Sequence, residues 1–152
     1  MYPRPANLLA TLCLAVAALP SQALQHGTTP TGVRWVSGGV GHAERQELQA
    51  QRQHYSFWLA TAAKRSGAFL ANVEVRIVDT DKAQLVLLHT MDGPWMFAAL
   101  APGRYEIQAV YEANGQAQTQ RGTTQIHPGD HHEMMLYFSD NTEVGEQTSA
   151  KN

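Results

Sequence analysis

Asp92-Gly93-Pro94-Trp95-Met96-Phe97-Ala98-Ala99-Leu100-Ala101-Pro102-Gly103-Arg104-Tyr105-Glu106-Ile107-Gln108-Ala109 is the stretch on which the fold turns. Pro102-Gly103 stands between two alternating apolar segments; Pro102 presets φ for a turn and Gly103 tolerates positive φ. Phe97 and Leu100 before it, and Tyr105, Ile107 and Ala109 after it, are the expected buried side chains of two strands. The stretch therefore predicts a β-hairpin built into a hydrophobic core.

The two-residue period continues on both sides. Tyr55, Phe57 and Leu59 alternate with Ser56, Trp58 and Ala60, and Val73, Val75 and Ile77 alternate with Glu74 and Arg76. Leu85-Val86-Leu87-Leu88 is apolar on both faces, which predicts a central strand, and Asp79-Thr80-Asp81-Lys82 is the turn before it. Asn114-Gly115 between alternating segments predicts a second hairpin, joining 104–112 to 116–126. His127-Pro128-Gly129-Asp130 then turns into a last strand from His132 to Phe138. About seven strands with turn chemistry between them predict an all-β, antiparallel sandwich over residues 54–139.

The flanking segments read differently. Val33 to Val36 suits a short strand, and the glycines of Ser37-Gly38-Gly39-Val40-Gly41 break it before a helix over Ala43 to Gln53. Leu48 and a few alanines are the only apolar residues of that helix, so it should lie against the domain as a solvated accessory. Residues 24–31 suit a mobile linker, and 140–152 a polar, disordered tail.

Arg4 followed by an apolar run from Leu8 to Leu19, with small residues at Ser21 and Ala23, predicts a secretory signal peptide over 1–23. A run of about 12 residues is too short to cross a bilayer as a helix, which takes roughly 20. The expected location is therefore periplasmic or secreted, with no membrane anchor after cleavage. Cys13, the single cysteine, lies in that run, so the mature chain would hold no disulfide, thiolate metal site or cysteine nucleophile. Cleavage would remove Arg4 and leave 10 basic residues against 13 acidic ones. The mature chain has no basic cluster, and nucleic acid is not an expected partner.

The run from Gly93 to Ala109, read as Gly-x3-Phe-x2-Leu-x-Pro-Gly-x-Tyr-x-Ile-x-Ala, resembles the signature of carboxypeptidase regulatory-like domains and of the related transthyretin-like and collagen-adhesin B-type modules. The resemblance spans about Tyr55 to Phe138 and implies a seven-stranded Greek-key, prealbumin-like sandwich. Ser37 to Gly41, the helix and Asp92 to Trp95 also look similar to small exported proteobacterial proteins that carry this domain. Adhesin modules of this kind can form a Lys–Asn isopeptide bond, but Lys64 and Lys82 fall in expected turns and Asn141 lies past the last strand. The Tyr-Arg-Gly-Ser ending of the transthyretin-like hydroxyisourate hydrolases is replaced by Ser149-Ala150-Lys151-Asn152.

Three groups of residues are candidates for contact with a ligand. Trp58 and Trp95, with Asp92 at the turn before Trp95, could offer aromatic faces to a sugar; ordinary core and rim packing is the plainer alternative. His127, His131 and His132, with Met134 and Met135 beyond them, have the imidazole and thioether chemistry of a copper site. Against this, His131 and His132 at the start of a strand point to opposite faces, and Met134, Leu136 and Phe138 form an inward stripe. His26 would become the third residue after cleavage, where amine, backbone amides and imidazole can wrap Cu(II). No nucleophile elbow, His-Glu-x-x-His or phosphate loop is present, nor are carboxylates paired in a recognisable catalytic frame, Asp79 and Asp81 being turn residues. The expectation is a non-catalytic binding module without a cofactor, its partner an envelope protein or a polysaccharide; a carbohydrate-binding module and a copper-binding protein are the alternatives.

Overall fold

The structure is a computed structural model and describes residues 23–139; the expected signal peptide, Cys13 and the tail from 140, with Asn141, lie outside the described residues. Nine strands form two sheets. They are β1 (Gln25–Thr28), β2 (Arg34–Gly38), β3 (Phe57–Ala63), β4 (Val73–Asp79), β5 (Gln84–Met91), β6 (Trp95–Ala98), β7 (Gly103–Ala113), β8 (Gln116–Ile126) and β9 (His132–Phe138). One sheet has the order β1-β2-β6-β3-β9 and the other β5-β4-β7-β8. All pairings are antiparallel except β3 with β9, which run parallel. Between β2 and β3 lie the helix α1 (His42–Gln51) and a 3₁₀ turn, Arg52–His54.

The architecture is thus mostly β, with two antiparallel-rich sheets and one short helix, as a β-sandwich requires. The count of seven is corrected to nine. Residues 24–31 are not a free linker: β1 pairs with β2 from Gln25↔Ser37 to Thr28↔Arg34, and Leu24 is buried. β1 and β2 extend the first sheet beyond β6.

The Pro102-Gly103 turn is not a hairpin either. β6 is paired on both edges, with Phe97 opposite Val36 of β2 and opposite Trp58 of β3, so it has no free edge for β7. β7 in turn is flanked by β4 and β8. The chain between them crosses from one sheet to the other. Ala99 N–H still donates to Arg34 C=O at 2.8 Å, Ser56 Oγ–H donates to Leu100 C=O at 2.7 Å, and Tyr105 O–H donates back to Ala101 C=O at 2.7 Å. The five residues expected to be buried are buried, because alternation reports which face points inward and not which strand lies alongside.

β5 is an edge strand, not a central one. Its register against β4 shifts at Ile77/Val78, where Val86 is the extra residue of a β-bulge. The bulge buries Val86 and Leu87 side by side and turns Leu85 and Leu88 to solvent. The Asn114-Gly115 hairpin forms as expected: Ala113 pairs with Gln116, and both turn residues have positive φ (54° and 73°), the geometry of a type I′ turn.

The main core lies between the sheets. Phe57, Leu59, Met96, Leu136 and Phe138 from one face meet Val73, Val75, Ile77, Met91 and Ile107 from the other. Asp79 is buried at its edge, and its Oδ1 accepts from the N–H groups of Asp81 and Lys82 at 3.0 and 3.1 Å, closing the turn into β5. Arg104 Nε–H donates to Asp81 at 2.9 Å and ties that turn to the start of β7.

Tyr105 combines a buried ring with the hydrogen bond that closes the crossover. Tyr105→Ala should cost about 3–5 kcal/mol through cavity formation. Tyr105→Phe, which keeps the ring, should cost about 1 kcal/mol. Urea unfolding of the two variants measures both, and equal costs would remove the distinction between ring and hydroxyl.

Candidate binding groove

The five-stranded sheet is apolar on its outer face as well. Register places Val36, Phe97, Trp58 and Glu133 in one outward row, and Gly38, Trp95, Ala60 and Met135 in the next. Helix α1 covers part of this face with one fully buried side chain, Leu48, which joins Leu24, Val36, Tyr55 and Phe97 in a second small core. Trp58 and Trp95 pack at its margin.

Local chemistry fixes the helix there. Gly38, Gly39 and Gly41 all have positive φ and let the chain leave β2 and turn over the sheet. Glu44, in the first turn, accepts from the N–H groups of Gly39 and Val40, both at 3.0 Å. This reach of a first-turn carboxylate back to the preceding backbone satisfies donors at the helix entry and suits the positive end of the helix dipole.

Two adjoining spaces lie where α1 ends over the sheet, with three lining residues in common. The larger is a cleft of about 320 Å³ lined by Gln49, Ala50, Arg52, Gln53, Trp58 and His131. The smaller is a crevice of about 20 Å³, which shares Gln49, Arg52 and Trp58 with the cleft and adds Trp95, Phe97 and Glu133. Trp58 is their common wall. Its indole N–H donates to Arg52 C=O at 3.1 Å, the Arg52 guanidinium lies 3.7 Å from its ring, and His131 stacks on it at 5.2 Å. Arg52 also donates to Glu133 at 2.6 Å. Trp95 stacks on Phe97 and meets the edge of Phe69.

Trp58 and Trp95 thus come together along one groove, both half-buried. Asp92 does not join them. Its carboxylate faces His89, whose ring packs on Trp35 at 4.0 Å on the inner side of the fold, where β5 meets β2. The histidines disperse. His26 is exposed on β1, where its backbone is already engaged with Val36. His127 is exposed in the turn before β9. His131 Nδ1 pairs with Tyr55 C=O at 2.9 Å, whereas His132 turns the other way to Thr124 Oγ1 at 3.1 Å and Asp130 at 3.5 Å. Among the described residues no group of three or more His, Cys, Asp or Glu is placed to hold a metal ion. Nor is any helix there long and apolar enough to cross a membrane.

Gln49, Arg52, Gln53 and Glu133 are polar lining residues that sequence reading did not single out. Arg52 and Glu133 are 81 positions apart and meet only because β9 returns beside β3. No family model matches the chain, and neither a curated protein nor a solved structure matches it.

Two outcomes follow from this packing. Leu48→Ala should cost about 2–5 kcal/mol, and hydrogen exchange should show faster amide exchange in α1 than in β7. Burial holds the His89 imidazole below its ordinary pKa, with the Asp92 carboxylate opposing that shift. The unfolded chain therefore takes up the proton first as pH falls through the ordinary histidine range, so His89 contributes stability near neutrality that is lost on acidification. Thermal melts between pH 7.5 and 5 should fall less steeply for His89→Leu than for the parent chain.

Proposed function

We propose that the protein is a non-catalytic, exported binding module of the cell envelope, and that the groove beneath the end of α1 is its working surface, with a saccharide as ligand. The observation that carries this reading is the convergence of Trp58 with Gln49, Gln53, Arg52 and His131 around one cleft, and of Trp58 with Trp95, 37 positions away in the chain, along the crevice beside it. An indole beside planar amide and guanidinium groups matches the two aspects of a sugar, apolar C–H faces and a ring of hydroxyls. A cleft of about 320 Å³ lies within the range of ligand sites, and a rigid sandwich is a usual frame for one.

Export rests on Arg4, the apolar run Leu8 to Leu19 and the small residues at Ser21 and Ala23. A carboxypeptidase regulatory-like, Greek-key core is the finer architecture that fits, with β3 to β9 as its seven strands and β1, β2 and α1 as additions. A copper site is the weaker reading, since His131 and His132 diverge and each has a protein partner.

Titration with soluble oligosaccharides should quench tryptophan emission. Trp58→Ala should weaken binding about 5–10-fold, because it removes the ring that holds Arg52 and His131 in place around the cleft. Trp35→Phe, on the inner side of the sheet, should leave the affinity unchanged. Equal affinities for the parent chain and Trp58→Ala would move the binding surface elsewhere.

A further inference from the structure

Exposure changes abruptly between Ala23 and Leu24. Ala23 is exposed, whereas Leu24 is 8 % exposed and packs with Val36, Leu48, Tyr55 and Phe97 in the second core. Its seat is close-fitting: a Cβ at Gly38 would come within 2.5 Å of Leu24 Cδ2, so any other residue there would displace the side chain. Gln25, the next residue, already begins β1, whose backbone pairs with β2 from Gln25↔Ser37 to Thr28↔Arg34. No spacer therefore separates Ala23 from the folded body. Ala23 is also the small residue that ends the export pattern of Arg4, the apolar run Leu8 to Leu19 and Ser21.

We propose that the Ala23–Leu24 peptide bond is a processing site that folding closes: the exported chain is cut there before Leu24, β1 and α1 assemble, and a precursor that folds first is protected. The inference rests on the export reading of the N-terminal segment and adds the order of events. Hydrolysis breaks the bond between the Ala23 carbonyl carbon and the Leu24 nitrogen; water supplies the hydroxyl of the new Ala23 carboxylic acid and the hydrogen of the new Leu24 amine. A peptidase needs an accessible, detachable segment around the bond it cuts. Here the residue after the bond is buried and the four that follow are held in a sheet. Cleavage of the folded chain therefore requires that Leu24 leave the core and β1 open from β2, and only the fraction of molecules in that open state is cut. The same core ties processing to the groove. Leu48, the fully buried residue of α1, packs there with Leu24, so the helix that borders the cleft is seated only after the chain has been exported and cut.

The test is digestion of the full precursor, residues 1–152, by a purified type I signal peptidase in detergent, with the products identified by mass. The comparison chain carries Gly-Ser-Gly-Ser inserted between Ala23 and Leu24, which moves the bond away from the fold and leaves the second core intact. Each is assayed folded, with the same β-sheet circular dichroism spectrum, and also added directly from urea. Added from urea, both should be cut after Ala23 at similar rates. Folded, the parent precursor should be cut at least about tenfold more slowly than the inserted one. Equal rates for the two folded chains, whether both fast or both slow, overturn the closure of the site by burial at Leu24 and leave the export reading standing. No cleavage after Ala23 in any form, including the chains added from urea, overturns the export reading together with the inference.

Discussion

The five-stranded sheet carries large apolar side chains on both faces, and a sheet of that kind has to be covered twice. Its inner face, with Phe57, Leu59, Met96 and Phe138, is covered by the four-stranded sheet. Its outer face, with Val36, Phe97, Trp58 and Trp95, is covered by a ten-residue helix whose single fully buried residue is Leu48. A helix of that length is about 15 Å long and cannot span five strands spaced about 4.8 Å apart. The uncovered margin is the groove. Trp58 and Trp95 stay half-buried there because the hydrophobic effect draws their rings onto the sheet while the helix ends before it encloses them.

The frame around that margin is held by local polar contacts. Glu44 pins the entry to the helix, Ser56 holds the crossover at Leu100, and Asp79 and Asp81 close the turn that meets Arg104. At Gly93 a Cβ would overlap the backbone of Gly38, so the turn before β6 and the end of β2 approach as only glycine allows. That contact places Trp95 directly opposite Gly38 in the outward row. The groove wall is therefore set by backbone packing as much as by side chains, and a rigid wall lowers the ordering cost of binding.

Legibility in the sequence followed the range of the interactions. The Asn114-Gly115 hairpin was readable because turn type and two-residue period are local, and so was the helix, whose start is marked by glycines. The Pro102-Gly103 turn carries the same kind of signal, yet it joins two sheets, because β2 and β3 outcompete β7 for the edges of β6. Leu85 to Leu88 read as a central strand because a bulge cannot be seen in hydrophobicity, and β1 was missed because Gln25-His26-Gly27-Thr28 has almost no apolar content; β2 recruits it by backbone pairing. Trp58 and Trp95 were nameable as candidates from their phase and their turn. Gln49, Arg52 and Glu133 were not, since nothing in their neighbours announces a contact 81 residues away.

The sequence by itself determined the class of fold and most of the core between the sheets: period-two alternation, turn residues and one weakly amphipathic segment are local patterns, and local patterns decide which side of a strand is apolar. Only the tertiary structure decided which strands lie side by side, that the first sheet would gain β1 and β2, and that one helix would cover its outer face incompletely. The candidate site belongs wholly to that second category. Its donors and rings come from α1, the turn after it, β3, β6 and β9, and their convergence depends on strand order, which arises from competition for edges and buried area across the whole chain.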